Sequence, residues 1–271
     1  MKRRYRFEQD PSRRFMGRVI MKWGGGLISD KSTLCTPYID RISSLAECVG
    51  KLVAKGHDVI VVHGAGSFGH LRAREYKLAE GDIPGFAQDD AVILVRNDMD
   101  RLHEIVVNSL NSMDTFSHPP RDFVKNTGAE FTGDLDRFLS PGVHITFGDV
   151  VDCDSPQKFG ILSGDDLMLR LSVDLPSVTH VIFAMGDTPG LMTNPGPDGE
   201  LIPIWSNKEK FTGQHQDDID VTGGIFLKTE RAAVISEHVN HVWFVDGLHP
   251  DRIIEIVENG YTYGTRIYAS L

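Results

Sequence analysis

Cysteine is scarce: Cys35, Cys48 and Cys153 are the only three, odd in number and far apart. That spacing excludes a disulfide framework and any zinc site built on Cys-x-x-Cys. A reducing, cytoplasmic compartment is the natural expectation. Long apolar runs are missing too. The longest, Ala91–Val95 and Val181–Met185, hold five residues, against the roughly 20 that a membrane helix needs, so no membrane partner is expected. No internal repeat or low-complexity tract stands out in the 271 residues. Positive charge is in short supply as well: 28 Lys and Arg face 38 Asp and Glu, for a formal charge of −10. An acidic body repels a phosphodiester backbone, which argues against a nucleic-acid partner. The hydrophobic share of 41% is too high for whole-chain disorder, and the length suffices for a sizeable core.

The cations are unevenly spread. Residues 1–18 carry seven basic and two acidic groups, net +5, which leaves −15 for the remainder. Residues 1–17 read as a basic extension. They lack the apolar stretch of a secretory signal, and their two acids and shortage of serine disfavour an organelle transit peptide.

Beyond that head, short buried strands alternate with amphipathic helices. Val19–Trp23, Asp58–Val62, His144–Phe147, Thr179–Ala184, His241–Val245 and Arg266–Ala269 read as strands. Pro37–Lys55, Asp89–Met113, Asp165–Asp174, Thr222–Glu237 and Pro250–Glu258 read as helices, the first two with apolar residues stepping by three and four. Ser117–Gly133 is rich in turn residues and reads mainly as loop. Residues 186–218 read as loop with a hairpin. The alternation predicts an α/β fold with a largely parallel sheet, and such folds place their chemistry beyond the carboxyl ends of the strands.

Four loops at such positions hold the candidate chemistry. Lys22-Trp23-Gly24-Gly25-Gly26 ends a strand with a lysine and three glycines, which suits an anion and equally suits a tight turn with a solvated lysine. His63-Gly64-Ala65-Gly66-Ser67-Phe68-Gly69-His70 leaves a strand and opens a helix, where backbone donors face an anion. It lacks the Gly-Lys-Ser/Thr of a Walker A loop. It also lacks the following strand with a terminal acid that a dinucleotide loop requires. Ser163-Gly164-Asp165-Asp166 reads as a helix cap, or as a carboxylate that orients lysines. Asp220-Val221-Thr222-Gly223-Gly224 with Lys228 reads as another helix start, or as a glycine-lined nucleotide edge with a second cation.

In this order the loops resemble the amino acid kinase superfamily and, within it, the isopentenyl phosphate kinases. The likeness is carried by Lys22–Lys31 (KWGGGLISDK), His63–His70 (HGAGSFGH), Gly148–Val151 (GDVV), Phe159–Asp166 (FGILSGDD), Asp220–Gly224 (DVTGG) and Gly264–Ile267 (GTRI). It implies an open three-layer αβα sandwich over residues 18–271, with an acceptor-binding lobe at 18–175 and a nucleotide-binding lobe at 176–271. It also implies transfer of the γ-phosphoryl group of ATP, with Mg2+ carried on the ATP phosphates, to a small phosphate monoester such as isopentenyl phosphate. By position, Lys22, His70, Asp165 and Lys228 would be catalytic, with Asp165 holding the two lysines. Gly64, Ala65, Gly66, Ser67, Gly69, His70 and Gly164 would receive the acceptor phosphate. Lys22, Gly24, Gly25, Gly26, Lys31, Asp187, Gly190, Asp220, Gly223 and Lys228 would bind ATP. A homodimer is implied in the same way.

The chain departs from the family pattern in three places. Gly26 stands where serine is usual, Ala65 where glycine is usual, and Pro189 where the loop after the fourth strand usually has a second acid. A kinase for a small phosphonate, as in the fosfomycin-resistance enzymes, keeps the same reaction with another acceptor. A nucleotide-binding protein of this fold without turnover is the reading from another class. An apolar acceptor tail needs a wall, which Asp89–Met113 could supply, with Phe86 just ahead, unless that face is simply core.

Overall fold

The computed structural model describes residues 15–186, 188–194, 198–206 and 224–269. In chain order the elements are β1 (Gly17–Trp23), α1 (Gly25–Ile28), α2 (Ile39–Ala54), β2 (His57–His63), α3 (Gly66–Glu75), α4 (Asp89–Ser109), β3 (Thr115–Ser117), β4 (Val124–Lys125), β5 (Thr132–Gly133) and β6 (Val143–Phe147). They continue with β7 (Asp149–Asp152), β8 (Phe159–Leu162), α5 (Gly164–Asp174), β9 (Val178–Met185), β10 (Ile204–Ser206), α6 (Gly224–Ser236), β11 (His241–Asp246), α7 (Asp251–Asn259) and β12 (Thr265–Tyr268).

Among the described residues, eight strands form one sheet in the order β10-β12-β11-β9-β1-β2-β6-β3. Every neighbour pair is parallel except β11 with β12. The two-residue period of a strand sorts the side chains of β1. Val19, Met21 and Trp23 join the core built with α2, α4 and α7, while Ile20 joins the opposite core built with α5 and α6. Layers on both faces make this the αβα sandwich that the family resemblance implied, on the largely parallel sheet that the alternation predicted. Chain connections leave β1 toward β2 and leave β9 toward β11, so the order reverses between β1 and β9. A crevice opens at such a reversal, beyond the carboxyl ends of the strands.

The strand and helix ranges read from the sequence agree with the structure to within a few residues, with four differences. α4 stops at Ser109, and Leu110–Met113 turn away through hydrogen bonds from Leu110 N to Val107 O and from Met113 N to Leu110 O. The stretch read as loop, Ser117–Gly133, holds the end of edge strand β3 and the small β4–β5 pair. An antiparallel hairpin, β7–β8, lies between β6 and α5. Its strands are four residues each, too short to show a period. Within 186–218, Met192 and Leu201 form an antiparallel bridge and β10 joins the sheet edge beside β12; residues 207–218 lie outside the described residues. Among the described residues, no helix is long and apolar enough to cross a membrane. Of the basic extension, residues 1–14 lie outside the described residues, and Gly17 already belongs to β1.

The two glycine loops meet backbone to backbone. A Cβ on Gly66, at φ +50°, would lie 1.9 Å from Ser29 Oγ and 2.6 Å from Gly25 O. We expect Gly66→Ala to lower stability by about 2–4 kcal/mol, combining left-handed strain with a backbone clash. Gly50→Ala, in the interior of α2 where the nearest atom to an added Cβ is Met113 Sδ at 4.0 Å, should instead raise it by roughly 0.5–1 kcal/mol. Urea unfolding of both variants checks the pair.

Candidate active site

Lys22 occupies the next-to-last position of β1. Alternation sends its side chain to the α5 face, opposite Met21 and Trp23. There its Nζ lies 2.6 Å from Asp165 Oδ1, with both side chains buried. Lys228, one turn into α6, reaches the same carboxylate, with Nζ 3.4 Å from Asp165 Oδ2. One nearly buried carboxylate therefore faces two ammonium groups that are 206 residues apart in the chain.

The position of Asp165 follows from the local sequence. Ser163 is extended and its Oγ accepts a hydrogen bond of 3.1 Å from Asp165 N, capping α5. A side chain at the preceding position would collide with the lysine: a Cβ on Gly164 would come within 3.3 Å of Lys22 Cε. Asp166 turns the other way and receives Arg231 Nε at 2.7 Å, which ties α5 to α6. Burial nevertheless raises the Asp166 carboxyl above the usual range.

The glycine loops pack against each other next to this ion pair. A Cβ on Gly25 would lie 2.4 Å from Gly66 N, and one on Gly64 would lie 2.5 Å from Gly25 N. Some of their polar groups serve the fold itself. Gly24 N donates to Ala184 O at 3.0 Å and Gly64 N to Trp23 O at 2.8 Å. Ser67 is buried: its N donates to Ser29 Oγ and its Oγ accepts from Thr36 N. Leu27 N and Ile28 N of α1 donate to Gly24 O, and Phe68 N of α3 donates to Ala65 O. Lys31 folds back over the first loop, so that a Cβ on Gly26 would lie 2.4 Å from its Cε. The serine usual at that position would need Lys31 to move.

A cavity, open at its mouth, runs from this cluster toward α4. Its polar end is made by Lys22, Gly64, Ala65, His70, Ser163 and Gly164. Its far end is apolar, with Ala73, Val95, Met99, Val150, Ile161 and Leu162. Gly69 lies between the two, where a Cβ would touch Met99 Sδ at 3.2 Å. α4 supplies the wall that its apolar face suggested, but Phe86 is exposed and not among the lining residues. The β7–β8 hairpin provides the opposite wall, and sequence reading had marked its strands only as parts of the GDVV and FGIL motifs.

Asp149, the first residue of β7, also lines the cavity and was not singled out from the sequence. Arg121 Nη1 lies 2.8 Å from its Oδ2, and Val150 N donates to its Oδ1 at 2.8 Å. Arg121 also pairs with Asp100 of α4. Burial pushes the Asp149 carboxyl up to about 6, against the opposing pull of Arg121. A signal existed in the Gly148-Asp149 pair after a strand, but its arginine partner lies 28 residues away and shows no motif.

On the other side of the crevice, Gly190 is buried. A Cβ there would lie 2.4 Å from Thr265 Oγ1, which accepts from Leu191 N and donates to Ile202 O. Asp187, Asp220 and Gly223 lie outside the described residues. The structure thus brings Lys22, Lys228, Asp165, Gly164, Gly64, Ala65, Gly69 and His70 to one place. It sets Gly24, Gly25, Gly26 and Lys31 beside them, and it buries Gly66 and Ser67 behind the loop.

The family model for the amino acid kinase family matches residues 17–245. The isopentenyl phosphate kinase of Thermoplasma acidophilum is 30% identical over 250 residues, covering 90% of this chain and 97% of that one. The isopentenyl phosphate kinase of Methanothermobacter thermautotrophicus is 29% identical over 272 residues, covering 92% and 98%. Among solved structures, the product complex of the T. acidophilum isopentenyl phosphate kinase superposes with a TM-score of 0.74 at 26% identity, covering 92% of this chain and 99% of that one.

The buried carboxyl in the cavity wall carries a pH signature. Asp149 binds its proton more tightly folded than unfolded, since its folded value is about 6 and an unfolded aspartate titrates near ~3.9. Its contribution is therefore fully present below pH ~4 and is lost as pH rises through 6. Measured by urea unfolding, the stability of the wild type relative to Asp149→Asn should fall between pH 4 and 6.5 and level off above 7.

Proposed function

This chain belongs to the amino acid kinase family, and from that premise we propose that it transfers the γ-phosphoryl group of ATP to isopentenyl phosphate, giving isopentenyl diphosphate. The observation that carries the reading is the junction of two chemistries in one cavity. Lys22, which shares the buried Asp165 carboxylate with Lys228, lines the polar end, and an apolar wall of Val95, Met99, Val150 and Ile161 lines the rest. A phosphate head on a short branched hydrocarbon tail matches both ends. The two named relatives are kinases for that acceptor.

Phosphoryl transfer through a loose transition state asks the protein for alignment and neutralisation rather than covalent help. In this reading Lys22 and Lys228 bracket the migrating phosphoryl group, and Asp165 keeps them converged while the site is empty of anions. When two polyanions enter, the lysines turn their N–H donors to phosphate oxygens, and the carboxylate still limits how far they can separate. His70, in the first turns of α3, donates a hydrogen bond to the acceptor phosphate. The amides of Ala65 and Gly164 add donors without adding charge that must be desolvated. No general base is needed, because a phosphate monoester is already close to a dianion at pH 7.

Gly24, Gly25, Gly26 and Lys31 hold the ATP phosphates from the β1 side, and Asp187, Gly190, Asp220 and Gly223 border the nucleotide. Among the described residues, no group of three or more His, Cys, Asp or Glu side chains converges as a metal site. On family resemblance the reading brings Mg2+ in on the ATP phosphates, where it would neutralise their charge. It includes a homodimer, on family resemblance, and a cytoplasmic compartment, on the scarcity of cysteine.

Purified protein with Mg-ATP should release ADP in the presence of isopentenyl phosphate and form the diphosphate. Faster turnover of a small phosphonate would assign the other acceptor class, and ATP binding without acceptor-dependent turnover would remove the activity. Lys22→Met and His70→Ala should each lower kcat/KM by roughly 10²–10³. A melting temperature within a few degrees of wild type shows that the loss is not one of folding.

A further inference from the structure

Behind the acceptor loop runs a buried chain of imidazoles that the proposed reaction does not use. His63, the last residue of β2, is fully buried, and its Nδ1 lies 3.2 Å from Gly64 O. Its Nε2 lies 3.1 Å from Nδ1 of His103 on α4. His103 Nε2 lies 2.7 Å from Oγ of Ser117, on edge strand β3. Phe147 packs on both rings, with centroids at 4.9 Å from His63 and 4.6 Å from His103, and closes the cluster.

The proton positions in this chain follow from one fact. A carbonyl oxygen can only accept, so the His63 proton sits on Nδ1. Its Nε2 then accepts, and the proton that fills that bond is on His103 Nδ1. His103 Nε2 accepts in turn, from the Ser117 hydroxyl. Every donor points toward Gly64, and both rings are neutral. Burial favours that state, holding His63 well below the ordinary histidine range and His103 at about 4. The charges facing His103 are Asp100 of its own helix and Arg121, which pair with each other and act on it in opposite directions.

We infer that His63 and His103 are positioning residues for the acceptor loop, fixing the Gly64–Ala65 peptide so that the Ala65 amide is presented to the acceptor phosphate. The peptide unit is planar and trans, so Gly64 C=O and Ala65 N–H point to opposite sides of it. Tethering the carbonyl to His63 aims the amide away from the histidines. The preceding amide is fixed too, through Gly64 N to Trp23 O at 2.8 Å. Gly64 and Ala65 both line the cavity, and with Ala65 replacing the usual glycine the loop has fewer ways to reach that orientation by itself. The ligand class is a phosphate monoester, and this inference rests on the proposed function for what the amide meets.

Nitrogen-15 NMR of the wild-type protein from pH 5 to 9 tests the chain without any variant or turnover. Both rings should remain neutral with the proton on Nδ1 throughout. A proton on Nε2 of either ring, or titration inside that window, would overturn the assignment. In kinetics, His103→Leu should raise KM for isopentenyl phosphate roughly tenfold and leave KM for ATP within about twofold. His103→Asn, whose amide nitrogen takes the place of Nδ1, should recover most of the loss. An unchanged acceptor KM in the leucine variant, or equal rises for both substrates, refutes the positioning role. Absence of turnover in the wild type refutes the proposed function instead, and the ring tautomers then still decide the histidine chain.

Discussion

Two ammonium groups brought together where little water reaches them repel each other and lose hydration. The carboxylate of Asp165 offsets that repulsion, lying within 2.6 Å of Lys22 and 3.4 Å of Lys228. That carboxylate is held by a helix start. Ser163 caps α5, and the absent side chain of Gly164 leaves room for the lysine stem. The formal charge of −10 does not oppose anion binding here. Cations local to the site act at a few ångströms, whereas the acids of the outer surface are screened over about 10 Å by salt.

The glycines of the two loops have two jobs that are hard to separate. In the proposed function, their lack of side chains lets backbone amides approach an anion. Here it also lets the loops after β1 and β2 touch backbone to backbone, with Gly25, Gly64 and Gly66 in mutual contact. The second job is visible in the structure: loops packed this tightly hold their backbones in one arrangement. His63, through Gly64 O, extends the same restraint to the next peptide.

The apolar part of the cavity is cut from core material. Val95 and Met99 of α4 are buried among core residues and still form cavity wall. The choice between core and pocket for this helix therefore resolves into both: Arg96 of α4 donates from Nε to Val150 O at 2.8 Å and ties the β7–β8 hairpin to the helix, while Val95 and Met99 beside that contact line the cavity. Asp149, in that hairpin, is a charged group in a poor place for charge, and Arg121 offsets part of its desolvation.

Strand and helix identities, the parallel sheet and the loops that meet at the candidate site were legible in the residues. Alternating strands and amphipathic helices are local patterns, and a lysine or glycine run at the end of a strand is read by position alone. The family resemblance went further and paired Lys22, Asp165 and Lys228 across 206 residues. The short β7–β8 hairpin, the Asp149–Arg121 pair and the His63–His103–Ser117 chain were not legible. Each joins segments distant in sequence through contacts that leave no period and no motif. Which glycines serve packing, and which side of α4 faces a cavity, depended on where other backbones come to rest. Local sequence sets the preference of each segment, and only the closing of the layers sets the distances between them.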